Sequence, residues 1–179
     1  WDVGREFGTI GASKRDGDAD WVIEVTTFRA DAYDPESRKP IVAFGDSIEE
    51  DLVRRDFTVN AMAVDVVSGR FVDPWGGLDD LADQMLRTPS KPEVSFSDDP
   101  LRMMRAARFA SRLQFIVAPE VAQAMTDMAD RIRIVSAERI QGELTGLLLT
   151  DNPREGLDLL VRTGIADFIL PELPALRLE

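Results

Sequence analysis

Cysteine and histidine are both absent from this sequence of 179 residues. Without them the chain has no disulfide bond, no thiolate nucleophile and no imidazole general base. Zinc sites built from cysteine or histidine ligands are excluded for the same reason. Any catalysis must therefore rely on carboxylates, arginines and a metal ion bound through oxygen ligands.

Long apolar runs and an excess of basic residues are missing as well. No stretch approaches the roughly 18 apolar residues of a membrane-spanning helix, so we expect no membrane contact. Asp and Glu outnumber Lys and Arg by 33 to 21, a net charge of −12 that argues against non-specific coating of nucleic acid. The chain starts at Trp1, without methionine or a leader-like segment, and we expect a piece of a longer, cytoplasmic protein.

The first part of the chain has the pattern of an α/β region. Residues 21–29 are rich in β-branched and aromatic side chains and give the clearest strand. Glu24 lies in its middle, either as a solvent-facing residue of a half-open sheet or as a metal ligand on a rigid element. The other elements predicted here are a strand over 7–12, a polar turn over 14–20, a loop over 34–40, a helix over 48–53, a strand over 57–66 that turns back at Ser68-Gly69, and a helix over 78–84.

The second part is helical throughout. Residues 88–97, which contain Pro89 and Pro92, form the predicted linker, and we place a domain boundary between residues 90 and 91. Beyond it, proline, serine and aspartate stand where helical patterns begin. Helices are predicted over 97–113, 120–132, 137–149 and 153–164, with a short turn over 165–170. The predicted fold class is thus α/β followed by all-α.

A charged segment precedes the predicted strand at 57–66. Arg54 and Arg55 supply planar, permanently charged guanidinium groups that suit triphosphate oxygens. Asp56 and Asn60 are short polar groups that suit ribose hydroxyls or the arginines themselves. The alternative interpretation is a surface charge cluster at the entrance of a strand.

The helix after Asp98 carries arginines at spacings of three, three and four, at positions 102, 105, 108 and 112. They cover roughly 120° of one helix face, beside an apolar face. Asp99 and Arg102 are three residues apart and therefore neighbours on the helix surface. An acceptor beside a donor could bind the edge of a base. Alternatively, Asp99 caps the helix and the arginines form a solvated or ion-paired face.

Several motifs, in this order and spacing, resemble bacterial class II tRNA nucleotidyltransferases and poly(A) polymerases. Residues 54–61 read Arg-Arg-Asp-Phe-Thr-Val-Asn-Ala and match that family's Arg-Arg-Asp-Phe-Thr-(Ile/Val)-Asn-Ala signature. Glu-Val-Thr-Thr-Phe-Arg at 24–29 and Asp-Pro-Trp-Gly-Gly at 73–77 look like its neighbouring motifs. Asp-Asp-Pro-Leu-Arg at 98–102 is similar to its Glu-Asp-x-x-Arg element, and residues 138–144 resemble the next helical motif.

The resemblance implies a division of labour between two domains. Residues 1–90 would be the rear of a polymerase-β-like nucleotidyltransferase head, and residues 91–179 a helical neck. Asp99 and Arg102 would pair with the incoming base in place of a nucleic-acid template, and Glu24 would be an accessory metal carboxylate. The nucleotide-binding residues implied are Arg54, Arg55, Asp56, Asn60, Asp99, Arg102, Arg105 and Arg108.

The implied reaction is attack by the 3′-hydroxyl of a tRNA or other RNA on the α-phosphate of ATP or CTP. Two Mg²⁺ ions would assist the displacement of pyrophosphate. The family's Gly-Gly-x-Val-Arg-Asp turn and Asp-x-Asp metal pair are not in these residues. Asp18 and Asp20 have the spacing of such a pair but lie in a polar turn directly before the strand of Glu24. We therefore expect this piece to be inactive alone.

Two classes of function stay open. The first is a template-independent RNA nucleotidyltransferase that carries out CCA addition, partial CC or A addition, or poly(A) synthesis. The second is a noncatalytic nucleotide- or RNA-binding module that lacks the metal carboxylates.

Overall fold

The computed structural model describes residues 8–17, 19–32, 41–44 and 47–176, with only the backbone described at 29–32 and 41–44. Packing divides the chain into residues 1–52 and residues 53–179. Small antiparallel sheets come first and helices follow, which confirms the predicted succession of α/β and all-α structure. The predicted loop at 34–40 and Asp18 lie outside the described residues.

The residues described between 9 and 44 form two strand pairs, and a short helix follows them. Strand β1 (Thr9–Asp16) pairs antiparallel with β2 (Ala19–Thr26), and Gly17 adopts a positive φ of 61° at the turn between them. Strand β3 (Arg29–Ala32) pairs with β4 (Ile41–Phe44). The helix predicted at 48–53 is confirmed as α1 (Ile48–Val53).

The polar turn predicted over 14–20 is wrong in extent. Lys14 and Arg15 belong to β1 and pair with Trp21 and Asp20 of β2. The ladder continues through these polar residues because every one of them still supplies backbone hydrogen-bonding groups, and Gly17 lies at the turn that follows β1.

The strand predicted over 57–66 is also wrong. The 3₁₀ turn Thr58–Asn60 lies near its start, and of the predicted residues only β5 (Ala63–Val64) is a strand, paired with β6 (Phe71–Val72). The side chain of Asp56 accepts a hydrogen bond from the Phe57 amide at 2.9 Å, and the Thr58 amide donates to the carbonyl of Arg87 at 2.8 Å. One local and one tertiary hydrogen bond thus take amides that a strand ladder would need.

The turn that follows agrees with the prediction at Ser68-Gly69. The Asp65 carboxylate accepts hydrogen bonds from the amides of Val67 and Ser68, at 2.9 and 3.1 Å, and Gly69 has a φ of 72°. These hydrogen bonds from the Ser68 and Val67 amides lower the pKa of Asp65. Helix α2 (Gly77–Ala82) follows and begins where the carboxylate of Asp73 accepts from the Gly77 amide at 2.7 Å.

The linker predicted over 88–97 is largely helical. Helix α3 (Pro92–Asp98) starts with proline at its first position and buries Ser95 and Phe96. Proline here begins a helix because its missing amide hydrogen is not needed in a first turn. The preceding strand β7 (Met85–Leu86) pairs in parallel with β8 (Ile116–Val117), a pairing that sequence patterns did not indicate.

The predicted helices after residue 97 are confirmed with shifted ends. The first begins later, at Leu101, and the second ends early and continues as the 3₁₀ segment Ala129–Ile134. The helices are α4 (Leu101–Leu113), α5 (Pro119–Asp127), α6 (Ala137–Leu148), α7 (Arg154–Arg162), α8 (Ala166–Ile169) and the unpredicted α9 (Glu172–Ala175). Ser136 caps α6, as predicted, by accepting from the Arg139 amide at 3.5 Å.

One apolar core joins these elements across residues 90 and 91. It contains Phe57 and Leu86 from one side of that position and Phe96, Met103 and Leu160 from the other, all fully buried. The buried face of α4 lies at its centre. The opposite face of α4 therefore stays available for charged side chains.

Helices α4 and α7 approach each other closely at Gly156. A Cβ atom added there would lie 2.4 Å from the carbonyl oxygen of Ala107 and 2.3 Å from Cδ1 of Leu147. The Gly156 amide donates to Oγ of Ser111 at 2.8 Å. A backbone atom is among the obstructing atoms, so the packing cannot adjust by a rotamer change alone.

We expect Gly156→Ala to lower the free energy of unfolding of the purified protein by about 1–3 kcal/mol, because it overpacks this contact. Gly142→Ala is the matched control, since Gly142 lies inside α6 with no atom within 4 Å of an added Cβ. That change should raise stability by about 0.5–1 kcal/mol through helix propensity. Denaturant titration of both variants measures the difference; equal effects would contradict the close packing.

Candidate functional site

The outer face of α4 carries the arginines of the candidate site. Its inner face is buried through Met103, Met104 and Ala107. Arg102, Arg105 and Arg108 project from the other side, where their partners come from the segment around Asp56 and from α6. These three arginines of the basic stripe thus form a line of contacts, whereas Arg112 is exposed.

Asp56 is the acceptor at the centre of the site. Its Oδ1 accepts from the Phe57 amide at 2.9 Å and from Nδ2 of Asn60 at 3.1 Å. Its Oδ2 accepts from Nε and Nη2 of Arg105, at 2.8 and 2.6 Å. One oxygen therefore holds the local turn, and the other fixes that turn to α4.

Glu143 of α6 receives two arginines of α4. Its Oε2 accepts from Nε of Arg108 at 2.6 Å, and its Oε1 lies 3.5 Å from Nη1 of Arg105. The Glu143 and Arg108 side chains are only 13% and 14% exposed. Both guanidinium groups lie over the ring of Phe109, at 5.3 Å for Arg105 and 4.5 Å for Arg108. Phe57 meets that ring edge-on at 5.7 Å, which connects the charged layer to the core.

The pKa of Arg105 reflects this environment. Burial alone lowers the pKa of a guanidinium, but the charge and hydrogen bonds of Asp56, and then the charges of Glu143 and Asp99, outweigh it and raise the pKa. Arg105 therefore stays charged while it donates to Asp56.

Asp99 and Arg102, expected as a base-reading pair, are each held by other groups. Nη1 of Arg102 donates to Oγ of Ser95 at 2.8 Å, and its Nη2 donates to the carbonyl oxygen of Arg54. Oδ1 of Asp99 accepts from the Leu101 amide at 3.2 Å, and Oδ2 accepts from Nη2 of Arg139 at 2.8 Å. Asp99 thus accepts from the first amide of α4, although Pro100 rather than Asp99 is the N-cap, and it forms an ion pair to α6.

Six of the predicted site residues are brought together by direct contacts. They are Arg54 through its carbonyl, Asp56, Asn60, Arg102, Arg105 and Arg108. Asp99 contacts Arg139 of α6, the helix whose Glu143 contacts Arg105 and Arg108, and Arg55 is exposed next to Asp56 in sequence. The ion-paired interpretation of the stripe is therefore correct for Arg105 and Arg108, while the nucleotide-binding roles stay predictions.

Glu24 lies in the other compact unit, in β2. Its backbone pairs with that of Gly11 and its side chain is exposed. Among the residues that the structure describes, no three acidic side chains come together in a way that could hold a metal ion. The role of Glu24 as a metal ligand stays a prediction.

Arg139, Glu143 and Phe109 were not among the predicted site residues, although the structure places all three in this site. Arg139 and Glu143 are four residues apart on one face of α6 and carry opposite charges. Their charges complement those of Asp99 and of the α4 arginines. This charge pattern is the signal that could have identified Arg139 and Glu143 from the sequence. Within the described ranges, no helix has the length and apolarity that crossing a bilayer requires.

Two family models match the chain. The poly A polymerase head domain matches residues 1–87, and the probable RNA and SrmB-binding site of polymerase A matches residues 114–176. Both belong to poly(A) polymerase-type proteins, and together they leave mainly α3 and α4 between them.

Curated relatives and a solved structure give a consistent likeness. The chain is 41% identical to the CCA-adding enzyme of Streptococcus gordonii, over 98% of this chain and 43% of that enzyme. It is 42% identical to the CCA-adding enzyme of Levilactobacillus brevis, over 92% of this chain and 40% of that enzyme. The crystal structure of the Bacillus stearothermophilus CCA-adding enzyme in complex with CTP superposes with a TM-score of 0.84 at 37% identity, covering 98% of this chain and 42% of that one. The chain therefore spans about two fifths of the length of these relatives.

We expect Asp56→Asn and Arg105→Gln to be strongly coupled in stability. Each single change leaves a mostly buried polar partner without its counter-charge and should cost about 1–3 kcal/mol, whereas the double variant should cost much less than the sum. A double-mutant cycle by denaturant unfolding measures the coupling.

Arg154 and Asp158 provide the control cycle. They form an exposed pair at 3.6 Å within α7, with side chains 86% and 53% exposed. Their coupling should stay below about 0.5 kcal/mol. Similar coupling in both cycles would contradict the central position of Asp56.

Proposed function

Because the chain belongs to the family of bacterial tRNA nucleotidyltransferases and poly(A) polymerases, we propose that it carries the nucleotide-selecting part of a template-independent RNA nucleotidyltransferase. The full-length enzyme would add CMP and AMP to the 3′ ends of RNA, with CCA addition to tRNA as the activity named for its relatives. The observation that carries the proposal is the direct attachment of the segment 54–60 to the arginine face of α4.

We propose that the segment 54–60 binds one portion of a nucleotide, and that the outer face of α4 together with Asp99 binds another portion. Arg54, Arg55, Asp56 and Asn60 would contact the ribose and the triphosphate, since guanidinium groups and short polar side chains suit these oxygens. Asp99 and Arg102 would contact the base. The hydrogen bonds from Arg102 and Arg105 to the 54–56 segment support this, because they fix the two portions of the pocket at a set distance.

A carboxylate beside a guanidinium group fits the hydrogen-bonding edges of cytosine and adenine. Both bases present an exocyclic amino group as a donor, which a carboxylate accepts, and a ring nitrogen acceptor beside it, which a guanidinium satisfies. Uracil and guanine present a carbonyl oxygen where the amino group would be, and that oxygen faces a carboxylate unfavourably. An acidic residue beside an arginine therefore favours CTP and ATP, and the relative of known structure was crystallised with CTP.

Arg105 and Arg108 are proposed to belong to the same site. Arg105 already donates to Asp56 and approaches Glu143, and Arg108 donates to Glu143 through Nε. A guanidinium group has five N–H donors, so these contacts still allow Arg108 to bind an anionic oxygen of a nucleotide. Their orientation by carboxylates is what would make such a contact specific.

Magnesium is the cofactor expected for this reaction class. The described residues do not fit it, because they assemble no group of acidic ligands. We propose that Mg²⁺ binds the full-length enzyme mainly through carboxylates outside these residues, with Glu24 as an accessory carboxylate.

We also propose a cytoplasmic location, a head part over residues 1–90 and a neck over residues 91–179.

The proposed activity can be tested directly with the full-length protein. Given tRNA that ends before CCA, labelled CTP and ATP and Mg²⁺, it should extend the 3′ end, and UTP and GTP should be poor substrates. Extension by CC alone, A alone or a long A tail would identify the corresponding sub-activity. Nucleotide binding without any extension would instead favour the noncatalytic binding module.

We expect Asp99→Ala and Arg102→Ala in the full-length protein to reduce the preference for CTP and ATP over UTP. Each lost contact to the base edge should be worth about 1–3 kcal/mol of discrimination. Competition assays with mixed nucleotides measure the ratio, and Asp158→Ala on the exposed surface of α7 is the control. Unchanged ratios in the Asp99 and Arg102 variants would exclude them as the base-selecting residues.

A further inference from the structure

Helix α6 presents two opposite charges from one face, one to α4 and the other to Asp99 shortly before α4. Arg139 and Glu143 are four residues apart in α6. Glu143 contacts Arg105 and Arg108, whereas Arg139 contacts Asp99, at the opposite end of the same row of contacts. Both residues of α6 therefore contact residues of the candidate nucleotide site.

Glu143 fixes the position of this face of α6. Its pair with Arg108 is mostly buried, and Gly146 one turn later packs so closely that an added Cβ would lie 2.9 Å from Cδ of Arg108. The main chain that carries Arg139 is thereby held against α4. The Arg139 side chain therefore reaches Asp99 from a main chain that is held in place by the packing of α6 on α4.

Asp99 needs such a contact to keep its carboxylate in one orientation. It lies in extended conformation between α3 and α4, with φ −145° and ψ 98°, and its side chain is 31% exposed. Oδ1 accepts from the Leu101 amide at 3.2 Å, which is at the long end for such a bond. Nη2 of Arg139 holds Oδ2 at 2.8 Å, and the charge makes this bond the stronger of the two.

The held carboxylate can still accept further hydrogen bonds. An ionised carboxylate offers about four lone-pair sites, and the Leu101 amide and Arg139 occupy two of them. The remaining sites suit the amino group of cytosine or adenine. The pairing also keeps Arg139, a donor that would suit the carbonyl oxygen of uracil or guanine, engaged with Asp99.

We propose that Arg139 is a positioning residue for base selection, which fixes the Asp99 carboxylate as an acceptor and withholds its own donors from competing bases. The inference rests on the proposed nucleotide site and extends it to α6. Arg139 acts through Asp99 and touches the base through no atom of its own. The Arg139 side chain is 53% exposed, so the pair adds little to stability and its effect lies in selectivity.

The test uses the full-length protein with the variants Arg139→Ala and Arg139→Lys. Equilibrium binding of CTP and ATP should weaken about 10- to 100-fold in Arg139→Ala, because the acceptor is no longer held in place. The same loss should appear in KM while kcat stays close to the parent value, and the ratio of CTP to UTP affinity should fall. Arg139→Lys, which keeps a charged donor, should recover part of both.

The Arg139 change made in an Asp99→Asn variant separates a positioning role of Arg139 from a general structural role. In Asp99→Asn, the further change Arg139→Ala should have no additional effect on CTP affinity, because the carboxylate through which it acts is gone. Thermal unfolding of each variant checks that the fold is intact. Arg154→Ala, which removes an exposed arginine from α7, should leave affinity and selectivity unchanged.

The outcomes distinguish the two proposals. If Arg139→Ala binds CTP and UTP as the parent does, or if its effect adds fully to that of Asp99→Asn, Arg139 does not position Asp99. If the parent protein binds CTP but extends no RNA, the proposed enzymatic function fails while the binding comparison still decides the role of Arg139. If the parent binds no nucleotide, both proposals are wrong.

Discussion

The contact between Asp56 and Arg105 is the interaction on which the rest of the site depends. It joins residues 49 positions apart in sequence and uses two guanidinium nitrogens on one carboxylate oxygen. The other oxygen of Asp56 closes the local turn. A single side chain thus sets both the shape of the 54–60 segment and its distance from α4. The Asp56 side chain is only 9% exposed, so the pair keeps one geometry. A fully exposed ion pair would not fix the segment in this way.

The apolar packing beneath this contact makes that geometry rigid. Phe109 receives Arg105 and Arg108 on its face and Phe57 at its edge, so the charged layer rests directly on the core. On the far side of α4, Ala107 leaves only enough space for the glycine of α7. Because the inner face of α4 packs this closely, the main-chain positions from which the outer side chains extend are fixed. That is the property a site needs if it is to distinguish bases by hydrogen-bond pattern.

The sequence predicted local features well and tertiary features poorly. The cap at Ser136, the turn at Ser68-Gly69 and most of the helices followed from nearby residues, and they are confirmed. The strand over 57–66 failed because Thr58 gives its amide to Arg87, a partner 29 residues away. The family resemblance implied residues that the structure brings together, whereas Arg139, Glu143 and Phe109 were not among them. It did not indicate that Arg105 and Arg108 would be paired with carboxylates, since those partners lie 49 and 35 residues away.

The ion pairs of the site differ in their access to solvent, and this has a consequence for its behaviour in salt. The pair of Glu143 and Arg108 is nearly closed off, whereas the pair of Arg139 and Asp99 is open to water. Mobile ions screen charges over about 8 Å at physiological ionic strength, and they act on exposed pairs far more than on buried ones. Rising ionic strength should therefore loosen Asp99 before it loosens α4 or the 54–60 segment. If Asp99 selects the base as proposed, higher ionic strength would then relax that selection while the contacts of Asp56 and Glu143 keep α4 and the 54–60 segment in place.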